Sequence, residues 1–446
     1  MANKNLSAAK KAKKDEFYTQ YADIDCEMQA YFTYDADVFR GKTILLPCDD
    51  PEWSNFTKYF AENFELFGLK KLISTSYAFN SKKLSQALLP GFEKLTSDAI
   101  RQSPRYDKKK EREHGKIFIL DEDTNKSGRI DIDDLKWEYL KGDGDFRSDE
   151  VKKLRDEADV IITNPPFSLF REFLAWILET GGASDAKNAK GFDAKSTKKF
   201  AIIANQNAIK YKDTFPLFRE NRMWLGATGF ANDMVFAVPK GTEVPEAYKQ
   251  KAAKLGYVGD FTRLGNTCWF TNIEHGRRHT PLMLMTKADN IKYSKHKEIH
   301  GVGYQKYVNY DAIHISQTDA IPSDYDGVMG VPITFLDKYC PEQFELLGSS
   351  LELAHPMSDY AEKGTYQAGG PCLYLKQKDG PYEYHRCYDR LLIRACKVSH
   401  TEPRRHGDCE SVGADALGRL RKKNEPQLLR ASASPSSPRF AEGTDS

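Results

Sequence analysis

Six short apolar runs constrain the fold of this chain more than anything else in it: Thr43–Leu46, Lys71–Thr75, Ile117–Leu120, Asp159–Thr163, Phe200–Ala204 and Met234–Val238. Each reads as a strand, and long mixed segments separate them, as the crossovers of a mostly parallel sheet require. Behind the first run, Phe56, Tyr59, Phe60, Phe64 and Phe67 recur at mostly helical spacing, and Phe170, Phe173, Leu174 and Ile177 repeat the pattern behind the fourth. The expectation is an open α/β fold, helices covering the sheet, with a ligand crevice at its strand ends.

The 446 residues suggest one dominant catalytic domain with smaller additions. We divide the chain into a basic arm at 1–14, a catalytic core at 15–240, a target-recognition region with remaining core elements at 241–398, and a tail at 399–446 expected to be disordered. Within the third part, Leu264–Asn272 and Thr280–Met285 read as strands flanking a turn that projects Arg277 and Arg278. A net charge of +2 neither demands nor excludes nucleic acid, but local clusters are more telling. Lys10, Lys11, Lys13 and Lys14 in the arm, and Lys187, Lys190, Lys195, Lys198 and Lys199 further on, suit phosphates or simply a solvated face. No CxxC pair, secretory signal or long apolar span is present, so a cytoplasmic protein without membrane segments is expected.

The chemistry begins behind the fourth run, at Asn164-Pro165-Pro166-Phe167. Two prolines fix φ and lack amide hydrogens, so a rigid turn here can aim carbonyl oxygens outward. The Asn164 amide oxygen and the Pro165 carbonyl then suit the two hydrogens of an exocyclic amine, and Phe167 suits the attached ring. For adenine N6, whose lone pair is delocalised, such acceptors favour attack on a methyl donor without a strong base. The plain alternative is a loop that ends a strand.

Three further pieces fit the same crevice. At the end of the first run, Pro47-Cys48-Asp49 places a carboxylate where the ammonium of S-adenosylmethionine can be met, and Ser54 either holds the polar end of that cofactor or caps a helix. Glycine-rich dinucleotide and P-loop signatures are both absent. Asp145 and Phe146 suit an adenine amine and an adenine face, unless Gly142 and Gly144 close a surface turn. Phe17, Tyr18 and Thr19 either pack on the cofactor or anchor the chain end. Asp123, Asn125, Ser127, Gly128, Ile130 and Asp134 mimic a calcium loop, but a strand precedes them and a polar connector is favoured. His275 and His279 flank a turn without a completing ligand set, so no metal is implied.

Together these residues resemble the adenine-specific DNA methyltransferases of the EcoRI modification type, over roughly residues 14 to 395. The strings Gly265-Asn266-Thr267-Cys268-Trp269-Phe270-Thr271-Asn272 and Tyr325-Asp326-Gly327-Val328-Met329-Gly330-Val331-Pro332 carry the resemblance beyond the tetrapeptide. It implies a class I methyltransferase fold with added DNA-recognition elements, S-adenosylmethionine as cofactor, and double-stranded DNA from which the target adenine is flipped. It also implies a possible cognate restriction endonuclease by genomic association. Phe17, Cys48, Asp49, Asp145 and Phe146 correspond to its cofactor side, and Asn164 to Phe167 to its target-adenine site. Pro47 to Pro51 departs from the glycine pattern of the wider superfamily. After the second strand no acid stands ready for ribose, leaving Ser74, Thr75 or a more distant carboxylate. RNA adenine or protein glutamine methylation, and an inactive DNA-binding homologue, are the competing readings.

Overall fold

A computed structural model describes residues 17–49, 54–78, 97–179, 198–230, 234–238, 244–377 and 380–396. The central sheet has eight strands: β1 (Thr43–Leu46), β2 (Lys71–Ser76), β3 (Lys116–Leu120), β4 (Lys136–Tyr139), β5 (Val160–Thr163), β6 (Lys199–Asn205), β7 (Trp224–Leu225) and β8 (Thr267–Thr271). Their order is β4-β3-β2-β1-β5-β6-β8-β7. Adjacent β2, β1, β5 and β6 are parallel, while β3 and β8 run against their neighbours on either side. This is the α/β sheet of a class I methyltransferase. The chain reverses its direction of winding between β1 and β5, which opens a crevice at their carboxyl ends.

Burial on both faces explains why these strands read as unbroken apolar runs. All four residues of β1 and of β5 are buried. On one face Ile44, Ile162 and Ile203 pack beneath α1 (Tyr21–Tyr34) and α2 (Asn55–Glu62), whose Tyr31, Phe56, Tyr59 and Phe60 complete the layer. On the other, Leu45, Ile161 and Ile202 meet α3 (Phe170–Leu178) through Phe173 and Leu174. Single-residue alternation along each strand thus feeds two separate layers.

A second sheet is built from Ile313–His314, Met329–Pro332, Arg390–Ala395 and Phe344–Ser349, in that order. Its Val331, Leu346 and Ile393 join the same apolar cluster as Ile202 and Phe270 of the central sheet. All described residues belong to one compact unit that ends at Cys396. Among them, no helix is long and apolar enough to cross a membrane.

Two strand expectations are corrected. Met234–Val238 is not in the central sheet; only Phe236–Ala237 pairs, between Tyr18–Thr19 and Phe261–Thr262 in a small antiparallel sheet. Thr280–Met285 forms no strand, because the Gln343 side chain satisfies both the amide and the carbonyl of Leu282. The run Leu264–Asn272 does form a strand, at Thr267–Thr271, but as β8 inside the central sheet. The arm at 1–14, Lys187 to Lys195 and the tail at 399–446 lie outside the described residues.

Candidate active site

The carboxyl end of β5 is tied to that of β1 by one side chain. The Thr163 hydroxyl donates to the Pro47 carbonyl at 2.6 Å, across the point where the sheet reverses its winding. Asn164 follows, and its Nδ2 donates to the Phe17 carbonyl at 2.6 Å. That bond fixes the amide plane. The Asn164 Oδ1 is left buried without a hydrogen-bond partner, a costly state for a polar atom unless a ligand supplies the donor. Pro165 is buried, and among the described residues its carbonyl accepts no hydrogen bond, whereas the Pro166 carbonyl takes the Leu169 amide at 2.9 Å. Two oxygens are therefore free at the strand end. Phe167 opens a 3₁₀ turn leading into α3, and its ring stacks on Phe17 at 5.8 Å, with Phe236 against the far side of Phe17 at 6.0 Å.

The other half of the crevice is assembled by backbone contacts. Cys48 adopts φ +62°, the left-handed conformation usually left to glycine. The turn it makes lets the Asp49 amide donate to the Thr75 carbonyl at 2.8 Å, while Ser74 donates its hydroxyl to the Asp49 carbonyl. Asp49 is thereby held at 6% exposure at the end of β1. The Thr75 hydroxyl is buried without a hydrogen-bond partner. Against β2 lies the 141–145 loop, with the Ala78 amide on the Asp143 carbonyl at 2.8 Å. A Cβ on Gly144 would come within 2.2 Å of the Ser76 carbonyl, so only glycine permits this approach.

That loop brings Asp145 to Cys48 and Asp49. Burial pushes the Asp145 carboxyl up, but the Arg147 side chain and amide more than offset it and hold it below the usual carboxylate range. The Arg147 guanidinium grips both carboxylate oxygens, at 2.9 and 2.6 Å. Burial first, then the Asp145 and Asp49 charges, push the Cys48 thiol up to about 12, although the residue keeps partial surface exposure. Burial with Asp143 and Asp145 likewise pushes the Tyr77 hydroxyl up to about 12. These donor and acceptor sets fit S-adenosylmethionine: the buried Asp49 and half-buried Asp145 carboxylates beside a pinned turn, with the orphan Thr75 hydroxyl at the end of β2.

The sequence matches the family described as "Adenine-specific methyltransferase EcoRI" over residues 5–396. The chain belongs to that family. It is similar to Type II methyltransferase M.EcoRI of Escherichia coli, with 40% identity over 346 residues, 77% of this chain and 89% of that one. Type II methyltransferase M.MpnI of Mycoplasma pneumoniae is 31% identical over 393 residues, 87% of this chain and 97% of its own. M.MgeORF184P of Mycoplasma genitalium is 31% identical over 399 residues, covering 88% and 99%. No solved structure matches. The chain is a site-specific DNA adenine N6-methyltransferase, with S-adenosylmethionine as methyl donor and double-stranded DNA as substrate.

Other sequence-chosen residues of this EcoRI-type enzyme have contacts of their own or lie outside the described residues. Ser54 caps α2, its hydroxyl accepting from the Phe56 amide at 3.0 Å. Phe146 is 3% exposed and lies edge-on to Phe173 and Trp176, within the apolar cluster that includes α3. Tyr18 and Thr19 form the edge strand beside Phe236–Ala237, and Asn55 holds the Thr19 carbonyl at 2.8 Å. Lys10, Lys11, Lys13 and Lys14 lie outside the described residues. Asp123 and Asp134 turn their carboxylates onto amides of their own loop.

Arg277 and Arg278 are the clearest departure. Because β8 is antiparallel and Thr271 pairs with Ala201 near the start of β6, the turn after it leaves at the sheet edge opposite Asn164. Arg278 is 4% exposed, stacks over Trp224 at 3.8 Å and donates to Asn221. Arg277 is paired with Asp337 at 2.6 Å. The Arg278 guanidinium is buried, and that of Arg277, although partly exposed, is engaged by Asp337 and the Ala227 carbonyl. Lys198 and Lys199 likewise donate to backbone carbonyls, of Asp156, Ala158 and Asn272. Conversely, Arg147 and Thr163 went unnoticed in the sequence. The signal for Arg147 was its place two residues after Asp145; for Thr163 nothing short of the fold reveals its partner.

Proposed function

We propose that Asn164 and Pro165 receive the amino group of a flipped adenine, and that Phe167, with Phe17 and Phe236 behind it, packs on the base. The observation that carries this reading is the Asn164 amide, pinned by its nitrogen while its buried oxygen lacks a donor. In the complex the two hydrogens of N6 occupy Asn164 Oδ1 and the Pro165 carbonyl. As N6 pyramidalises and takes positive charge, both oxygens bind it more strongly than in the ground state, which is where rate enhancement arises. The proton then leaves to solvent, so no strong base is needed at the site. S-adenosylmethionine supplies the methyl group as an electrophile. Asp49 and Asp145 would hold its hydrogen-bond donors, and Thr75, at the end of β2, would hold its ribose.

The same reading assigns target recognition to the region 241–398 and phosphate contact to the lysines of the arm. A partnership with a cognate restriction endonuclease belongs to the same reading. A nuclease gene beside this one, whose cleavage is blocked by this enzyme's methylation, is the observation required.

Asn164→Ala tests the receptor directly. Single-turnover methylation should fall roughly a hundredfold or more, as when one preorganised hydrogen-bonding group is removed from an active site, with DNA and cofactor affinities largely kept. Turnover near wild type in the folded variant removes Asn164 from this role.

A further inference from the structure

The edge of the sheet that carries Asn164 also receives one end of the second sheet. Lys210, in the turn that leaves β6, pairs with Asp389 at 2.7 Å, just before the strand Arg390–Ala395 begins. The other end of that strand is fastened to the far edge. The Cys396 amide donates to the Gln343 carbonyl at 2.9 Å, and Gln343 in turn holds Leu282, just beyond the Gly276–His279 turn. The strand therefore runs from the catalytic edge to the opposite one. Tyr388 stands at its catalytic end.

Tyr388 is 88% exposed, yet its backbone is held from several sides. The buried Cys387 donates its amide to the Leu373 carbonyl at 2.9 Å. Arg390 donates its amide to the Ser350 hydroxyl at 3.1 Å and its guanidinium to the Tyr388 and Asp389 carbonyls, each at 3.3 Å. The ring and hydroxyl of Tyr388 take no hydrogen bond or ring contact among the described residues. Next to Lys210, Tyr211 carries the Arg171 guanidinium at 5.4 Å from its ring, and Arg171 lies in the first turn of α3, just behind Phe167. An exposed tyrosine by itself signifies little. This one is rigidly mounted, without a side-chain partner among the described residues, and shares its end of the sheet with the catalytic loop and with Arg171, itself paired with Asp213 at 2.7 Å.

We propose that Tyr388 is a positioning residue that enters the DNA base stack beside the target adenine and takes over the stacking the adenine gives up when it is extruded. Aromatic side chains stack on any base, and wedges of this kind hold open a disrupted step. The proposal rests on the reading of Asn164 to Phe167 as the receptor for the extruded base.

The test uses the full chain and two duplexes bearing the site that the wild-type enzyme methylates, mapped beforehand. In one the target adenine is paired with thymine; in the other it faces an abasic position, so that extrusion is easier. Tyr388→Ala should lose about tenfold or more in single-turnover rate on the paired duplex and come within about threefold of wild type on the abasic one, with cofactor binding unchanged. Tyr388→Phe, which keeps the ring, should track the wild type on both. A wild-type rate for Tyr388→Ala on the paired duplex overturns the proposal, and so does an equal loss on both duplexes. Failure of the receptor reading gives a different pattern, an active Asn164→Ala on either duplex.

Discussion

Cys48 shows how a single residue can hide a turn from the sequence. Its φ of +62° supplies the left-handed step for which a glycine would be the usual signal, so the departure from the superfamily's glycine pattern changes the residue and keeps the turn. The thiol that results is held protonated, pushed from 9.0 up to about 12 by burial and by the neighbouring carboxylates. Since the thiolate is the nucleophile, iodoacetamide at pH 8 should leave Cys48 largely unmodified in the native enzyme and label it readily in urea. Equal labelling in both states contradicts the geometry. The sign for stability follows: the folded value lies above the unfolded one, so this group's contribution is intact below about pH 9 and is lost as pH rises toward about 12.

Among the elements, α1 is joined to the far side of the sheet through one carboxylate. Glu27 is fully buried and accepts from the Tyr31 hydroxyl, the Ala227 and Thr228 amides and the Thr228 hydroxyl. Glu27→Ala strands one buried and three part-buried donors and should destabilise the enzyme by about 2 kcal/mol or more, read as a lower urea midpoint with an unchanged slope; a loss under about 1 kcal/mol would show that the turn after β7 holds itself. What was legible at this scale follows from burial. Strands β1, β5 and β6 announce themselves because both faces are covered, and Asn164 to Phe167 because two prolines leave few conformations open. Strand direction leaves no such trace. The pattern that marks Thr267–Thr271 as a strand does not say that it runs antiparallel, and that direction carries Arg277 and Arg278 to the end of the sheet opposite Asn164. Phe236–Ala237 misled for a related reason: its partners are Tyr18–Thr19 and Phe261–Thr262, each distant in sequence.

The described residues give the sheet two unlike ends, one holding the crevice and the other carrying ion pairs such as Arg277 with Asp337. Affinity for the phosphate backbone calls for cations that are not already paired. The arm is the densest supply, and replacing Lys10, Lys11, Lys13 and Lys14 by Ala should weaken binding to all duplexes alike and flatten the dependence of log affinity on log salt by roughly one unit for each phosphate no longer neutralised. An unchanged slope would assign phosphate binding to other residues. The Thr163 hydroxyl has a further consequence at this scale. It fastens the turn proposed for the cofactor to the loop proposed for the base, so a ligand that orders one surface should lower the entropy still to be lost at the other. On that reading the two ligands are thermodynamically linked. Whatever factor a cofactor analogue adds to the affinity for DNA, DNA should return in equal measure to the analogue, a reciprocity that paired titrations would check.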